Sequence, residues 1–346
     1  MAALLEPSQA IKREELADYI SIVDAKSTPF ISMAPKEAEL GNTYFRWSAA
    51  VYDSPKGTAS SVPDGTAAGT AESTNRLELT NYGQVFRRVV GVGFLAQAVP
   101  DVAGVGKRKE IQWQTARKLV ELKRDMEAAF LSTDQNAVAD NGTVGYLTKG
   151  MSEFLEADGG PSVCTVPSGA RTASAAIDAT ASASLAETNI QAVLTAIYGN
   201  TGVVGNFDLL CGTALKRAFT ALTKAAATTT GATNVYTTQA VRTFTMDIAT
   251  DVFKQSISVF EGDFGRLNLV PDNFIGTTTT SSGTALVVQN YRGYVIDWDL
   301  VAIRYGILPN VEDLAADGSG PKKNVQAFAG LVVKNPAGLG KFFATS

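Results

Sequence analysis

KRKEIQWQTARKLVELKRDMEAAFL, residues 107–131, is the stretch on which the fold turns. Ile111, Thr115, Leu119, Leu122, Met126 and Phe130 advance in steps of three or four, which draws one stripe along an amphipathic helix. At 1.5 Å per residue the rod is about 37 Å long, enough to be the spine of a domain. Its opposite face is charged, with Glu121 and Arg124 three apart.

Upstream, residues 8–27 predict a second amphipathic helix: Ser8 can cap it, Ile11, Leu16, Tyr19, Ile20 and Val23 fall near one face, and Pro29 stops it. From Leu40 to Val99 the pattern is strand-like, with Tyr44, Phe45 and Trp47 in one arm and RLELTNYGQVFRRVVGVG in the other. Between them YDSPKGTASSVPDGTAAGTAEST (52–74) holds turn formers without a core-forming face. The simplest reading is one very long hairpin. Such a connection exceeds the usual length of structureless loops, so it is expected to be either disordered or held by something outside the subunit.

Downstream, residues 133–183 predict loops and short elements only. Ser184-Leu185-Ala186-Glu187 reads as a capping box, Ile190, Val193, Leu194 and Ile197 as a buried face, and Gly199 as the C-terminal cap. NFDLLC (206–211) predicts a buried strand, and Ala214, Leu215, Ala218, Phe219 and Leu222 a short helix. SISVFEGDFGRLNLVP (256–271) predicts a hairpin turning at Gly262 and Asp263, while 285–289, 294–305 and 325–334 predict strands. The total is a mixed α+β chain whose sheet is contributed from both ends.

Composition narrows function. The 346 residues suffice for two domains, or one domain with large excursions, yet charged residues are only 18%, and a surface rich in Ala, Ser, Thr and Gly fits a protein covered by partners or one with long mobile loops. With no histidine, Ser/His/Asp, Cys/His and His-ligated metal chemistry are excluded. Cys164 and Cys211 cannot build a thiolate zinc site and are expected buried and reduced, as in a reducing compartment. The N-terminus lacks the basic and apolar regions of a signal peptide, and no window approaches the roughly 20 apolar residues that span a bilayer, so no membrane partner is expected. At net charge −4 the chain has no bulk nucleic-acid signature.

Chemistry-bearing motifs are sparse. Gly91-Val-Gly93 and Gly104-Val-Gly106-Lys107 lack the full spacing of a phosphate loop, and Thr213 with Lys216 reads as helix surface. Glu312, Asp313 and Asp317 read as a solvated loop. The basic groups at Arg87 and Arg88, Lys107 to Lys109, and Lys322 with Lys323 read as salt-bridged or solvated faces, which can also meet an acidic neighbour or a polyanion. Trp47, Trp113 and Trp298 read as core or interface anchors. No catalytic residue, metal site or cofactor is expected.

The order of parts, together with STPFISM (27–33), NYGQVFRRVVGV (81–92), ELKRDMEAAFL (121–131), SVFEGDFGRLNLVPDNFI (258–275) and LVVKNPAGLGKF (331–342), resembles the major capsid (major head) proteins of tailed phages with the Hong Kong 97-like fold. The alanine-rich stretch 155–184 departs from that pattern and reads as an insertion in the middle domain. The resemblance implies an N-terminal arm over 1–35, an extended hairpin (E-loop) over 36–99, a peripheral domain over 100–140 and 284–346, and an axial domain over 141–283. It implies a non-enzymatic virion protein that assembles with itself, in the host bacterial cytoplasm, as hexamers and pentamers of an icosahedral shell. Portal and possible scaffolding or decoration proteins are implied as partners, with double-stranded DNA enclosed without sequence-specific binding. An encapsulin-like compartment and a tail-tube component are the alternative readings. Assembly contacts are expected at Tyr44, Trp47, Lys56, Arg87 and Arg88 on the hairpin and at Ile11 and Tyr19 on the N-terminal helix. With only about 35 residues before the hairpin, removal of an N-terminal scaffolding segment is not expected. The best-known fold member crosslinks a hairpin lysine to an asparagine; Lys56 with Asn324 or Asn335 is the parallel here, and spacing gives no reason to join them.

Overall fold

The computed structural model describes residues 24–53, 55–67, 69–70, 72–74, 76–98, 110–156, 166–181, 184–222, 257–277, 286–315 and 320–343. The helix expected over 8–27 therefore lies almost wholly outside the described residues. Pro29, expected to end it, instead opens α1 (Pro29–Met33), where its fixed φ suits the first turn and its missing N–H is not needed.

The arms of the expected hairpin pair as β1 (Tyr44–Ala49) and β2 (Leu77–Tyr82), antiparallel from Tyr44 opposite Tyr82 to Ala49 opposite Leu77. The ladder ends at Tyr82. β3 (Gln84–Gly91) leaves the hairpin and joins a sheet of order β11-β12-β3 with β11 (Val301–Leu314) and β12 (Lys322–Val333). Gly83 makes the corner, because a Cβ there would lie 2.5 Å from the Phe328 ring and 2.7 Å from Leu40.

After α2 (Phe94–Ala98), the spine helix is present as α3 (Glu110–Phe130), with Ile111, Leu122, Met126 and Phe130 buried as the stripe requires. At its end Phe130 packs between Phe30 and Phe86, with ring centroids 6.1 and 6.0 Å away. α4 (Met151–Phe154) and β4 (Ile177–Asp178) are the short elements of the next region. Part of the stretch read as an insertion is integral: Val166 and Ala170 pack with Ala49 and Leu79 under the hairpin, and β4 forms a sheet edge.

The largest sheet has the order β4-β13-β10-β5-β7-β6. Its strands are β5 (Gly205–Cys211), β6 (Val259–Gly262), β7 (Gly265–Pro271), β10 (Arg292–Ile296) and β13 (Gly340–Phe343), with β4 at one edge. β5 runs parallel to β7 and β4 to β13, while the remaining pairs are antiparallel, including the expected β6–β7 hairpin. α5 (Glu187–Thr201) lays Ile190, Val193, Leu194 and Ile197 into a core with Phe207, Leu209, Leu267, Val295 and Phe342. α6 (Thr213–Ala221) adds Leu215 and Phe219, whose ring meets Phe342 edge-on at 5.7 Å. β8 (Gly276–Thr277) and β9 (Val287–Val288) form a separate short ladder.

Two boundaries differ from expectation. α5 is capped by Asn189, whose Oδ1 accepts the Ala186 N–H at 3.1 Å, rather than by Ser184; it closes at Gly202, in the left-handed region at φ 67°, rather than at Gly199. The strand expected over 294–305 is two strands in two sheets. Asp297 turns the chain between β10 and β11, its carbonyl accepting from Leu300 N at 3.0 Å and its Oδ1 from Asp299 N at 3.0 Å.

The chain forms two compact units whose division falls inside β3, α3, β11 and β12. The larger contains the hairpin and the six-stranded sheet; the described part of the smaller covers 24–26, 87–98, 110–122, 309–315 and 320–326.

Candidate assembly surfaces

The root of the hairpin is a polar knot inside an apolar setting. Asn81 is buried and fully used: Nδ2 donates to Leu331 O (2.7 Å) and Thr148 Oγ1 (3.0 Å), while Oδ1 accepts from Lys149 N (2.7 Å) and Tyr82 N (2.8 Å). Beside it Trp47 donates its indole N–H to Val333 O at 2.9 Å and lies 5.7 Å from Phe45 and 6.0 Å from Phe154. Trp47, expected at an assembly contact, thus sits in the subunit's own packing.

Beyond the root the chain is open. Every described residue of 50–76 is exposed, and Tyr52, Val51 and Val62 are apolar groups offered to solvent. The two limbs nevertheless find each other: Thr74 Oγ1 donates to Asp53 Oδ2 at 3.0 Å, Lys56 pairs with Glu72, and nearer the root Arg46 pairs with Glu78 at 3.3 Å. These contacts carry the β1–β2 pairing outward nearly in register. Tyr44 is exposed at the ladder's end, its ring 5.1 Å from Tyr82. Of the paired arginines, Arg87 is exposed, while Arg88 turns to Glu121 at 4.0 Å, as alternation along β3 requires. Ile11 and Tyr19 lie outside the described residues.

The sequence reading missed the buried ionisable groups. Glu127 accepts Phe30 N at 2.7 Å and Ile31 N at 2.9 Å, holding the start of α1 from the last turn of the spine. It hydrogen-bonds Asp272, just beyond β7; burial first, then that neighbouring charge, pushes Glu127 up to about 9. Burial raises Asp272 too, although Phe274 N donates to it at 2.7 Å. Two carboxyls in this setting share a proton. The sequence signal is its spacing: Glu127 falls three before Phe130, on the flank of the apolar stripe. A second group lies at α4, where burial and Glu156 raise Glu153 to about 7 against Lys341 and Lys149. Glu37 moves the other way: against the effect of burial, Lys334 and Arg304 hold it below the ordinary carboxylate range, with contacts of 2.9 and 3.0 Å.

Asp313 is paired with Lys323 at 2.9 Å and Glu312 accepts from Asn310 at 3.5 Å; among the described residues no three His, Cys, Asp or Glu side chains are placed to hold a metal. Asp317 and Cys164 lie outside the described residues. Cys211 is buried, and burial pushes its thiol up to about 12. Among the described residues no helix is long and apolar enough to cross a membrane.

The description of the SU10 major capsid protein family matches residues 6–346. The chain belongs to that family. A curated relative, the major capsid protein of Escherichia phage Phieco32, is 30% identical over 166 residues, 43% of this chain and 46% of the relative, so the match spans less than half of that protein. The solved capsid of Cyanophage P-SCSP1u superposes with TM-score 0.56 at 11% identity, covering 99% of this chain and 97% of its own. A structure from Gordonia phage Cozz does so with TM-score 0.57 at 10% identity, covering 99% of both chains. At such low identity the likeness is one of fold: mixed helix and sheet in the Hong Kong 97-like arrangement of phage capsids. The family is one of structural capsid proteins.

Proposed function

We propose that this chain is the shell subunit of a tailed-phage head, closing as hexamers and pentamers around double-stranded DNA in the host cytoplasm, with portal and scaffolding or decoration proteins as partners and no catalysis of its own. The observation that carries the reading, beside family membership, is the open arm. Every described residue of 50–76 is exposed, and Val51, Tyr52 and Val62 are left in water. Ordering such a segment costs about 1 to 2 kcal/mol per residue. A neighbouring copy offsets that cost by burying those side chains, at about 25 cal/mol per Å². The match over 6–346 favours a phage head over the encapsulin-like and tail-tube alternatives.

The test is assembly of the full-length protein, followed by sedimentation and electron microscopy, beside a variant in which residues 53–74 are replaced by a short turn. Closed megadalton shells from the first, and folded subunits without shells from the second, are expected. Normal shells from the shortened protein would remove the arm's role, and an intact protein that never assembles would remove the function.

A further inference from the structure

Asn141 is followed by Gly142, and no other asparagine of the chain is followed by glycine. The pair sits at the tip of a small hairpin, in which Val138 and Leu147 exchange both backbone hydrogen bonds, at 3.2 and 3.0 Å, and Asn141 N donates to Val144 O at 3.1 Å. Residues 139–145 are exposed. Gly142 lies in the left-handed region at φ 83°, with open space where a Cβ would stand.

Two sets of hydrogen bonds meet at this tip. Gly142 N donates to Asp140 Oδ1 at 2.7 Å, so a carboxylate rests on the proton of that peptide nitrogen. Asn141 Oδ1 accepts from Thr143 N at 3.0 Å and Val144 N at 2.7 Å, so two N–H groups face the oxygen of the side-chain amide. These are the parts of an acyl transfer: a nucleophile with a base on its proton, and a carbonyl whose oxygen is met by two donors. Nucleophile and carbonyl belong to adjoining residues, which supplies their proximity.

We propose that Asn141–Gly142 is a self-modifying site, at which the Gly142 peptide nitrogen closes on the Asn141 side chain with Asp140 as the base. The bond that forms joins Gly142 N to Asn141 Cγ, and the bond that breaks is Cγ–Nδ2. Asp140 takes the Gly142 proton and passes it to the departing nitrogen, which leaves as ammonia; the Thr143 and Val144 N–H groups hold the negative charge that collects on Oδ1 in between. The product is a five-membered cyclic imide. Water then opens the ring: addition at Cγ leaves an aspartate, and addition at the main-chain carbonyl carbon leaves an isoaspartate, with Gly142 carried on the former side chain. No oxidant or reductant takes part. Either product sets a second carboxylate next to that of Asp140, and isoaspartate also lengthens the main chain by one carbon, so the tip closed by Asn141 N and Val144 O loses its fit. The returning limb carries Tyr146, whose ring lies 5.6 Å from that of Tyr82 at the end of the β1–β2 ladder, so the change falls beside the root of the arm. The reaction needs a single folded subunit and no shell.

The test incubates full-length folded subunits in warm, mildly alkaline buffer beside a synthetic peptide of residues 136–149. Peptide mass spectrometry reads residue 141, where the imide shows as loss of ammonia and the opened products as a gain of one mass unit. Folded subunits should react several-fold faster than the peptide, which has the same residues without the fixed donors and base. Asp140→Asn keeps an acceptor for Gly142 N and removes the base, so it should slow the folded chain about tenfold. Folded subunits that react no faster than the peptide would overturn the proposal, as would an Asp140→Asn variant, folded by circular dichroism, that reacts at the wild-type rate. The comparison with the peptide uses the unaltered chain and decides the matter if the variant does not fold.

Discussion

The six-stranded sheet and the hairpin arm belong to the same compact unit and are held by opposite means. In the sheet, Leu209, Leu267 and Val295 are fully enclosed beneath α5 and α6, and stability comes from apolar area removed from water. In the arm, pairing among the described residues continues past the ladder through exposed side-chain contacts, each worth little in water. One region is built to persist alone and the other is shaped in advance for a partner, so mutations in the two should separate folding from assembly.

The largest effect is expected at the spine. Phe130→Ala, between Phe30 and Phe86, should cost about 3 to 5 kcal/mol of subunit stability, and Leu122→Ala, also fully buried, about 2 to 5 kcal/mol. Chemical denaturation of unassembled subunits reads both, and an unchanged midpoint would remove the spine from the core.

Next comes the carboxyl pair. Glu127→Ala leaves the Phe30 and Ile31 N–H groups without their acceptor and should cost about 1 to 3 kcal/mol. Glu127→Gln keeps an acceptor for that segment and a donor for Asp272, so it should fold. The pH dependence distinguishes them. Glu127 is raised from 4.5 to about 9, so its contribution is complete below 4.5 and is lost as pH rises through about 9. Asp272, also raised, acts with the same sign, as does Glu153, lifted to about 7. One retained proton gives a slope of at most about 1.4 kcal/mol per pH unit. Glu37, held low, opposes them only in acid, where its contribution disappears as the pH falls through its folded value. Subunits should therefore gain stability from pH 9 toward 5, and Glu127→Gln should flatten that rise; an equally steep profile in the variant would assign the titration elsewhere.

The smallest effect on folding is expected at the tip. Lys56→Ala breaks the exposed pair with Glu72 and should leave the subunit's unfolding midpoint unchanged while slowing or weakening shell formation. Loss of subunit stability would show that the arm supports the core after all.

Periodic features were legible. The stripe of α3, the buried face of α5 and the β6–β7 hairpin follow from spacing, because side-chain period maps directly onto which face is covered. Features set by the third dimension were not. Nothing local separates β10 from β11, since apolar residues run through both and only Asp297 marks the turn. Gly83 becomes a corner because Phe328, far along the chain, fills the space its side chain would need. Ser184 is a good cap in isolation, but Asn189 captures the N–H that starts the helix. Of the expected assembly residues, Tyr44, Lys56 and Arg87 lie on open surface, while Trp47 is packed in the subunit and Arg88, half-buried, pairs with Glu121, a distinction that depends on which way each strand faces.

The clamp at Asn81, Trp47 and Gly83 gives the arm a mechanical character. With four hydrogen bonds on one amide, an indole tied to Val333 and a corner too tight for a Cβ, the base resists both twist and tilt. A push at the free end is therefore borne as bending along the limbs between Ala49 and Leu77, where only exposed polar rungs brace them. The arm behaves as a cantilever with a built-in foot, compliant at its free end and stiff where it joins the body; in the proposed shell that form would let identical subunits occupy positions of unequal curvature.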